Sequence, residues 1–552
     1  MISCIHIYFM KAACILLILL LLESCKDDKT TSRDILIDSV LINGISVENG
    51  TTVDEIDFSN VSIRFIFSSP VDTLKFNRNK VFFSQGVDTL YITRFSTGSD
   101  ELTIVPGKLK SLTLYRLTLD VGPNAGAIFR KGFAFNFVTS LDTTPKFQVI
   151  PEDSLLSVVQ KNTLAYFTDY AHPVSGMARE RSGSNDVVTT GGTGFGLMAI
   201  LVGIKRGFIT KQQAFDQFKK VTTFLRSADT FHGAFPHWLN GRTGRVQPFS
   251  LKDNGGDLVE TAFLMQGLLA VREYFRNGSE AEKALCDSIT ILWKNVDWNW
   301  YRNNGQDKLF WHWSPTYNWE MNMPVSGWNE ALIVYILAAA SPTHPITKEV
   351  YDNGWARNGA YPMKNGKSFY NIRLPLGEDY GGPLFFAHYS FLGLDPRHLA
   401  DQYANYNEQN VAHSLINYSY CADNPKKRRG YSSSCWGLTA SDIPGGYSAS
   451  SPLNDLGVIA PTAALSSMPY TPEESLRALN FFYYVLGDRL WGNYGFKDAF
   501  SLTSLWFADS YIAIDQGPII CMIENYRSGF LWNLFMGSEE IKSGLTKLGF
   551  TF

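Results

Sequence analysis

No part of this sequence is strongly basic. Its 49 Lys and Arg are set against 52 Asp and Glu, for a formal net charge of −3, and no long basic run supplies the electrostatic footprint of a nucleic-acid binder. Histidine is scarce, at nine residues in 552. There is no HExxH pair and no Cys/His set with zinc spacing, while GGTGFG lacks both the Lys of a phosphate loop and a preceding βαβ context. Metal-ligand and phosphate-loop chemistry thus finds no support in the sequence. Long apolar runs are lacking too, with one exception. AACILLILLLL, after Lys11, has the length of a signal h-region and is too short to span a bilayer.

That run ends in LESC, which makes Cys25 a candidate lipid-attachment site. The stretch resembles a bacterial lipoprotein signal, with Glu23 a departure from the motif, and CKDD resembles the surface-export signal of Bacteroidetes lipoproteins. Residues 1–25 are therefore expected to be a lipoprotein signal and its lipid-attachment Cys. The chain would be lipid-anchored in the cell envelope, at the outer membrane facing the cell surface or the periplasm. Cys4 and Cys14 would be removed, leaving Cys286, Cys421, Cys435 and Cys521 in a disulfide-permissive compartment. Cys421 and Cys435 flank the basic loop ADNPKKRRGYSSS, and a bridge or two free thiols both stay open.

What is abundant is apolar and aromatic. With 45% hydrophobic and only 18% charged residues, the chain suits a large soluble protein of more than one domain. Residues 34–142 read as β: VSIRFIF, KVFFSQ, TLYITRF, ELTIVP, LYRLTLDV and FAFNFVT are short alternating or β-branched runs separated by Gly, Asn, Ser and Asp. The spacing predicts a sandwich and resembles bacterial immunoglobulin-like modules. From 152 to 552 the pattern is helical, and the segments alternate in character. EDSLLSVVQKNTLAYFTDY, TKQQAFDQFKKVTTFLRSA and four later segments carry a charged face. GGTGFGLMAILVGI, GGDLVETAFLMQGLLA, SGWNEALIVYILAAA, GGPLFFAHYSFLG, LGVIAPTAALSSM and DQGPIICMIENY are apolar all round and so buried on both sides. An inner ring within an outer ring, an (α/α)6 toroid, is favoured over a solenoid because the spacings vary. The expected fold is a small all-β immunoglobulin-like sandwich followed by an all-α (α/α)6 barrel.

Acids interrupt the inner segments. Counting by threes and fours from Glu260 reaches Phe263, Leu264, Gly267 and Leu268, so this carboxylate heads a buried stripe, with Asp257 and Asp253 just before it. Helix capping and a first-turn dipole partner explain such residues on one isolated helix. Glu330, aligned with Val334 and Leu337, repeats the arrangement, and Asp515, Glu378 and Asp379 stand at the starts of two further segments. Carboxylates converging on one cleft from chain-distant segments are what glycoside hydrolysis needs: a protonated acid for the leaving oxygen, and a carboxylate to activate water or attack the sugar. Trp311, Trp313 and Trp319 in the segment before Glu330 are candidate sugar-stacking residues, with a plain hydrophobic plug as the alternative. His232 and His237 in FHGAFPHW could contact sugar, but packing is favoured for them.

GGTGFGLMAI, GWNEALIVYILAAASPTHP, GEDYGGPLFFAHYSFLGLDPR, CWGLTASDIPGGY, ALSSMPYTPEES and WFADSYIAIDQGPIICMIENYRSG resemble, in order, the glucoamylase-like domain of glycoside hydrolase family 144 across 152–552. The resemblance implies an (α/α)6 barrel and an inverting endo-β-1,2-glucanase. Such an enzyme releases sophoro-oligosaccharides from linear β-1,2-glucan without metal or organic cofactor. Residue by residue, it places acidic cleft positions on Asp253, Asp257, Glu260, Glu330 and Asp515, and puts Arg179, Glu180, Asp379, Tyr380 and Asp442 in matching motifs as subsite candidates. Glu330 is expected to be the general acid and Asp515 to serve the water, with Asp257 and Glu260 holding substrate and water; Glu260 as the acid is the alternative. The expected partners are a β-glucan or gluco-oligosaccharide substrate and, through Cys25, a membrane, with no nucleic acid. Three questions stay open: cleavage from chain ends, a different glucan linkage, and a surface glycan-binding lipoprotein without turnover. Retention of the whole acid set argues against the last.

Overall fold

The computed structural model describes residues 35–70, 81–86, 88–90, 92–97, 100–120 and 132–552. The expected signal stretch and Cys25 lie outside the described residues. None of the described helices is long and apolar enough to cross a membrane. The chain divides into two compact units, 1–142 and 143–552.

The first unit is built from β1 (Ile37–Ile42), β2 (Ile45–Ser46), β3 (Thr52–Ile56), β4 (Ile63–Phe67), β5 (Val81–Gln85), β6 (Asp88–Thr89), β7 (Ile92–Thr97), β8 (Glu101–Pro106), β9 (Leu114–Leu119) and β10 (Phe133–Thr139). They form two five-stranded sheets, ordered β2-β1-β4-β8-β7 and β3-β10-β9-β5-β6. Pairing is antiparallel apart from β3 with β10. Alternation sets which side chains face inward: Tyr115, Leu117 and Leu119 of β9 are buried while Leu114 and Arg116 are exposed. Residues of both sheets, among them Phe65, Ile104, Leu117 and Phe137, make one core. The sheets therefore pack face to face.

The second unit alternates half-buried with fully buried helices. The half-buried set is α1 (Glu152–Thr168), α3 (Lys211–Leu225), α5 (Glu280–Asn295), α7 (Tyr406–Asp423), α9 (Pro472–Asn480) and α11 (Glu539–Leu548). The buried set is α2 (Thr190–Lys205), α4 (Leu258–Phe275), α6 (Leu332–Ala340), α8 (Pro461–Ser466) and α10 (Ala513–Ser528). Local sequence sets several starts. Thr210 with Gln213 and Ser279 with Glu282 form capping boxes at α3 and α5. Between α2 and α4 the backbones touch: a Cβ on Gly194 would lie 2.1 Å from the Phe263 carbonyl oxygen, and one on Gly267 would lie 2.1 Å from that of Gly194. Only glycine allows that approach.

Two expectations about the inner elements need correction. GGPLFFAHYSFLG is not an α-helix but a series of single 3₁₀ turns over Asp379–Gly381, Leu384–Ala387 and Ser390–Leu392. Tyr380, Gly381 and Gly382 take φ of 65°, 95° and 85° there, and Pro383 follows, so no continuous ladder can form. Glu330 is not in a helical first turn either, because α6 begins only at Leu332 and Glu330 sits in the turn before it.

Candidate active site

The helix starts converge on a cavity of about 480 Å³, lined by Glu180, Arg181, His237, Trp238, Phe249, Glu260, Trp311, Glu330, Tyr389 and Tyr447, with Ile512 and Ile514 in its wall. Asp257 caps α4, its Oδ1 accepting from the N–H groups of Val259 (3.0 Å) and Glu260 (2.9 Å). One turn on, Glu260 accepts through Oε2 from the Gly191 N–H in the first turn of α2, at 2.7 Å. Gly191 is required for this, since a Cβ there would lie 2.6 Å from that same oxygen. Glu330 is held differently. Ser390 Oγ accepts from the Ile333 N–H at 3.0 Å and donates to the Glu330 carbonyl, so a residue from the 3₁₀ segment fixes the turn that presents Glu330.

Both cavity glutamates are shifted toward the neutral form. Burial, with Asp257 adding repulsion against the opposing pull of His237, pushes Glu260 up to about 7. Burial also pushes Glu330 up to about 7, with repulsion from Glu260 and Asp257. Behind Glu260 runs a line of alternating charge. His312 Nε2 stands 3.2 Å from Asp253 Oδ2 and 3.4 Å from Asp257 Oδ2, and His237 Nδ1 stands 2.9 Å from the same Asp257 oxygen. Against burial, which acts to lower it, His312 is pushed up to about 10 by its bonds to Asp253 and Asp257. His237 is pushed up to about 9 against burial by the Glu260 charge and its bond to Asp257. Burial acts to raise Asp257, but the two imidazoles hold it well below the usual carboxylate range.

His237, Asp253 and Asp257 bring potential metal-ligand atoms within 4.8 Å of one another. Each is already committed, however. His312 places an imidazolium between the two carboxylates, where a cation would be needed, and Nδ1 of His237 must carry a proton to bond Asp257. The donor set fits a hydrogen-bonded charge relay better than a metal.

Also at the cavity, Arg181 bonds Glu180 through Nε at 3.0 Å and Asp442 through Nη1 at 2.9 Å. Asp442 also accepts from Ser510 Oγ, and its own N–H donates to Asp498 Oδ2 at 2.7 Å. Asp515 sits in the first turn of α10, only 1% exposed, flanked by the cavity-wall residue Ile514 but not itself lining the cavity.

Of the expected site residues, Glu180, Glu260, Trp311 and Glu330 line the cavity, and Asp253, Asp257 and Asp442 support it from behind. Others lie elsewhere. Trp313 and Trp319 pack on Trp300, at 5.2 and 4.8 Å between ring centroids, in a cluster that His232 joins by stacking on Trp300. Arg179 lies over the Tyr170 ring and donates to backbone carbonyls of Tyr170 and Asn185. Asp379 pairs with Lys367 at 2.8 Å, and Tyr380 packs on Phe369. These five fill aromatic and surface contacts rather than the cavity. The sequence reading missed Arg181, His312, Asp498, Tyr389 and Tyr447, and it underrated His237.

The Glycoamylase family model, "Putative glucoamylase", matches residues 322–539. The structure of an endo-β-1,2-glucanase from Chitinophaga pinensis, in complex with sophorotriose and glucose, is 55% identical with a TM-score of 0.71. It covers 73% of this chain and 99% of that one. The chain belongs to the glucoamylase-like family 144. A β-1,2-glucanase structure from Parabacteroides distasonis is 37% identical, with a TM-score of 0.71, covering 93% of this chain and 73% of that one. An exo β-1,2-glucooligosaccharide sophorohydrolase (non-reducing end) from the same species is 46% identical over 417 residues, which is 72% of this chain. The chain spans 58% of that relative's length. The solved relatives place the second unit among the glucoamylase-like helical-barrel glycosidases.

Proposed function

We propose that this family member hydrolyses β-1,2-linked glucan, with inversion, to short sophoro-oligosaccharides. The observation that carries the reading is the pair of buried glutamates on one cavity, Glu260 and Glu330, both titrating near neutrality. It is supported by the β-1,2-glucan activities named for the relatives at 55% and 46% identity. Glu330, protonated, donates to the glycosidic oxygen as the bond to C1 breaks. Glu260, fixed by Gly191 and facing the cavity, orients water and sugar hydroxyls. Asp515, next to the cavity-wall residue Ile514 and with neither carboxyl oxygen accepting from an N–H or O–H donor among the described residues, is the group assigned to receive, from behind the wall, the proton of the attacking water. Trp311 and Tyr447 supply flat faces for sugar rings.

Attack within chains is the first reading. Release of sophorose from a chain end is the second, favoured by the exo activity of the Parabacteroides relative. We further infer that the β-rich unit is an immunoglobulin-like module and that residues 1–25 anchor the chain in the cell envelope through lipid on Cys25; both rest on sequence pattern. Incubation with linear β-1,2-glucan, β-1,3-glucan and starch, with chain-length analysis over time, tests the proposal. Products from β-1,2-glucan alone support it, and a broad early size distribution marks endo action. Turnover of starch instead would contradict it.

A further inference from the structure

The active-site cavity does not end at Arg181. That side chain also lines a second, more open depression of about 480 Å³, whose wall continues through Asp442, Ile443, Trp506, Asp509 and Ser510. One β-hairpin, Ala440–Ile443 paired with Gly446–Ala449, runs along both spaces. Ala440, Tyr447 and Ala449 line the cavity, while Asp442, Ile443 and Gly446 line the depression. Two groups there stand without protein partners. Glu180 takes Nε of Arg181 and Asp442 takes Nη1, which fixes the guanidinium, but Nη2 makes no hydrogen bond among the described residues and is not buried. Trp506 is the second. It is half-buried against Val458, Ala460 and Ala499, yet among the described residues its indole N–H meets no acceptor and no other ring stacks on it. Its neighbour Phe507 is committed by contrast, stacked on Phe500 at 5.7 Å with the Arg489 guanidinium 5.6 Å from its ring centre. The chain enters Trp506 through Leu505 at a φ of 55°, a left-handed conformation that costs free energy in a residue with a branched side chain.

We propose that this depression is a distal glucan-binding groove, in which Trp506 stacks a glucose unit beyond those held at Glu260 and Glu330. Nη2 of Arg181 donates to a hydroxyl of the unit that crosses from one space to the other. The inference rests on the β-1,2-glucan reading above. Charge in the groove is balanced, Asp442 against Arg181 at 2.9 Å and Asp509 against Lys497 at 2.7 Å, which suits an uncharged ligand rich in hydroxyls. A pyranose lays its C–H face on a flat aromatic ring, while its hydroxyls accept from N–H groups and donate to carboxylates at the rim. The groove adds no chemical step. Its consequence is a preference for length, because a chain that reaches Trp506 gains contacts a short oligosaccharide cannot make, and binding energy remote from the reacting bond raises kcat/KM.

The test uses the full chain as wild type, Trp506→Ala, Trp506→Phe and Gly446→Leu, each checked for cooperative thermal unfolding. It measures kcat/KM on linear β-1,2-gluco-oligosaccharides of increasing length, up to the polymer. Wild-type kcat/KM should rise with length. In Trp506→Ala the ratio of kcat/KM on the polymer to that on the shortest cleaved oligosaccharide should fall about tenfold, chiefly through KM. Trp506→Phe keeps a flat face and should recover most of that ratio. Gly446→Leu fills the groove without touching the core, since a Cβ at Gly446 meets nothing within 4 Å, and it should lower the ratio as well. It decides the matter if Trp506→Ala does not fold. A merely structural role for Trp506 would lower activity on every length alike and leave the ratio where it was. An unchanged ratio in Gly446→Leu and in every folded Trp506 variant would overturn the groove and leave the proposed function standing. A wild type that cleaves no β-1,2-glucan of any length would overturn the proposed function itself, and this inference with it.

Discussion

Glu330→Gln separates the role of Glu330 in catalysis from its cost to stability. Burial moves the Glu330 carboxyl from its ordinary value near 4.5 to about 7. At about 1.4 kcal/mol per pH unit, that difference corresponds to about 3 kcal/mol. The folded state holds the proton between those two pH values and the unfolded state does not, so the wild type loses this amount as pH rises from about 4.5 through 7. Gln has the same shape and never ionises. The variant should match the wild type near pH 4.5 and exceed it by roughly 3 kcal/mol at pH 8, while kcat falls by about 10² to 10⁴ for loss of a general acid. Urea unfolding across pH 4.5 to 8, paired with kcat at each pH, reads both. Parallel stability curves for the two proteins would refute the buried, proton-holding Glu330. Wild-type kcat in the variant would refute its role as the acid.

Other perturbations probe the supports of the site. Gly191→Ala puts a methyl 2.6 Å from Glu260 Oε2 and 3.0 Å from the Phe263 ring, so kcat should fall and stability drop by about 1 to 3 kcal/mol; unchanged kcat would mean Glu260 needs no fixed position. His312→Gln removes the cation between Asp253 and Asp257 and should cost roughly 3 to 5 kcal/mol near neutral pH. Because His312 is raised from 6.5 to about 10, its contribution is complete below pH 6.5 and lost as pH rises through 10. The difference between variant and wild type should therefore shrink at alkaline pH, and a pH-independent difference would contradict the charge relay. Chelation with EDTA should leave kcat unchanged, since His237, Asp253 and Asp257, the candidate metal cluster among the described residues, are already engaged with one another and with His312. Loss of activity that a divalent cation restores would contradict that reading.

Asp257 and Glu260 were legible because capping and the three-to-four spacing are local properties of one helix, and α4 keeps that spacing from Leu258 onward. Glu330 was found as a site residue but placed on the wrong element. Its turn is fixed by Ser390, which is sixty positions away in sequence, and no local pattern reports such a cap. The fourth inner segment looked helical from composition, but positive φ at three successive residues decided otherwise. Trp311, Trp313 and Trp319 are alike in sequence, and only packing on Trp300 sets Trp313 and Trp319 apart from Trp311 on the cavity wall. Arg181, His312 and Asp498 matter through partners distant in the chain, so single residues in unremarkable surroundings carried no signal. The β unit was readable strand by strand because alternation is a period-two property, as in the buried Leu102, Ile104 and Pro106 of β8.

The most direct test of the account is proton NMR of the products as they form from linear β-1,2-glucan, with wild type and Glu330→Gln side by side. The wild type should release β-1,2-linked oligosaccharides whose new reducing ends appear first as the α anomer, and the variant should not. First appearance of the β anomer, or equal turnover by both proteins, would contradict an inverting hydrolysis driven by Glu330.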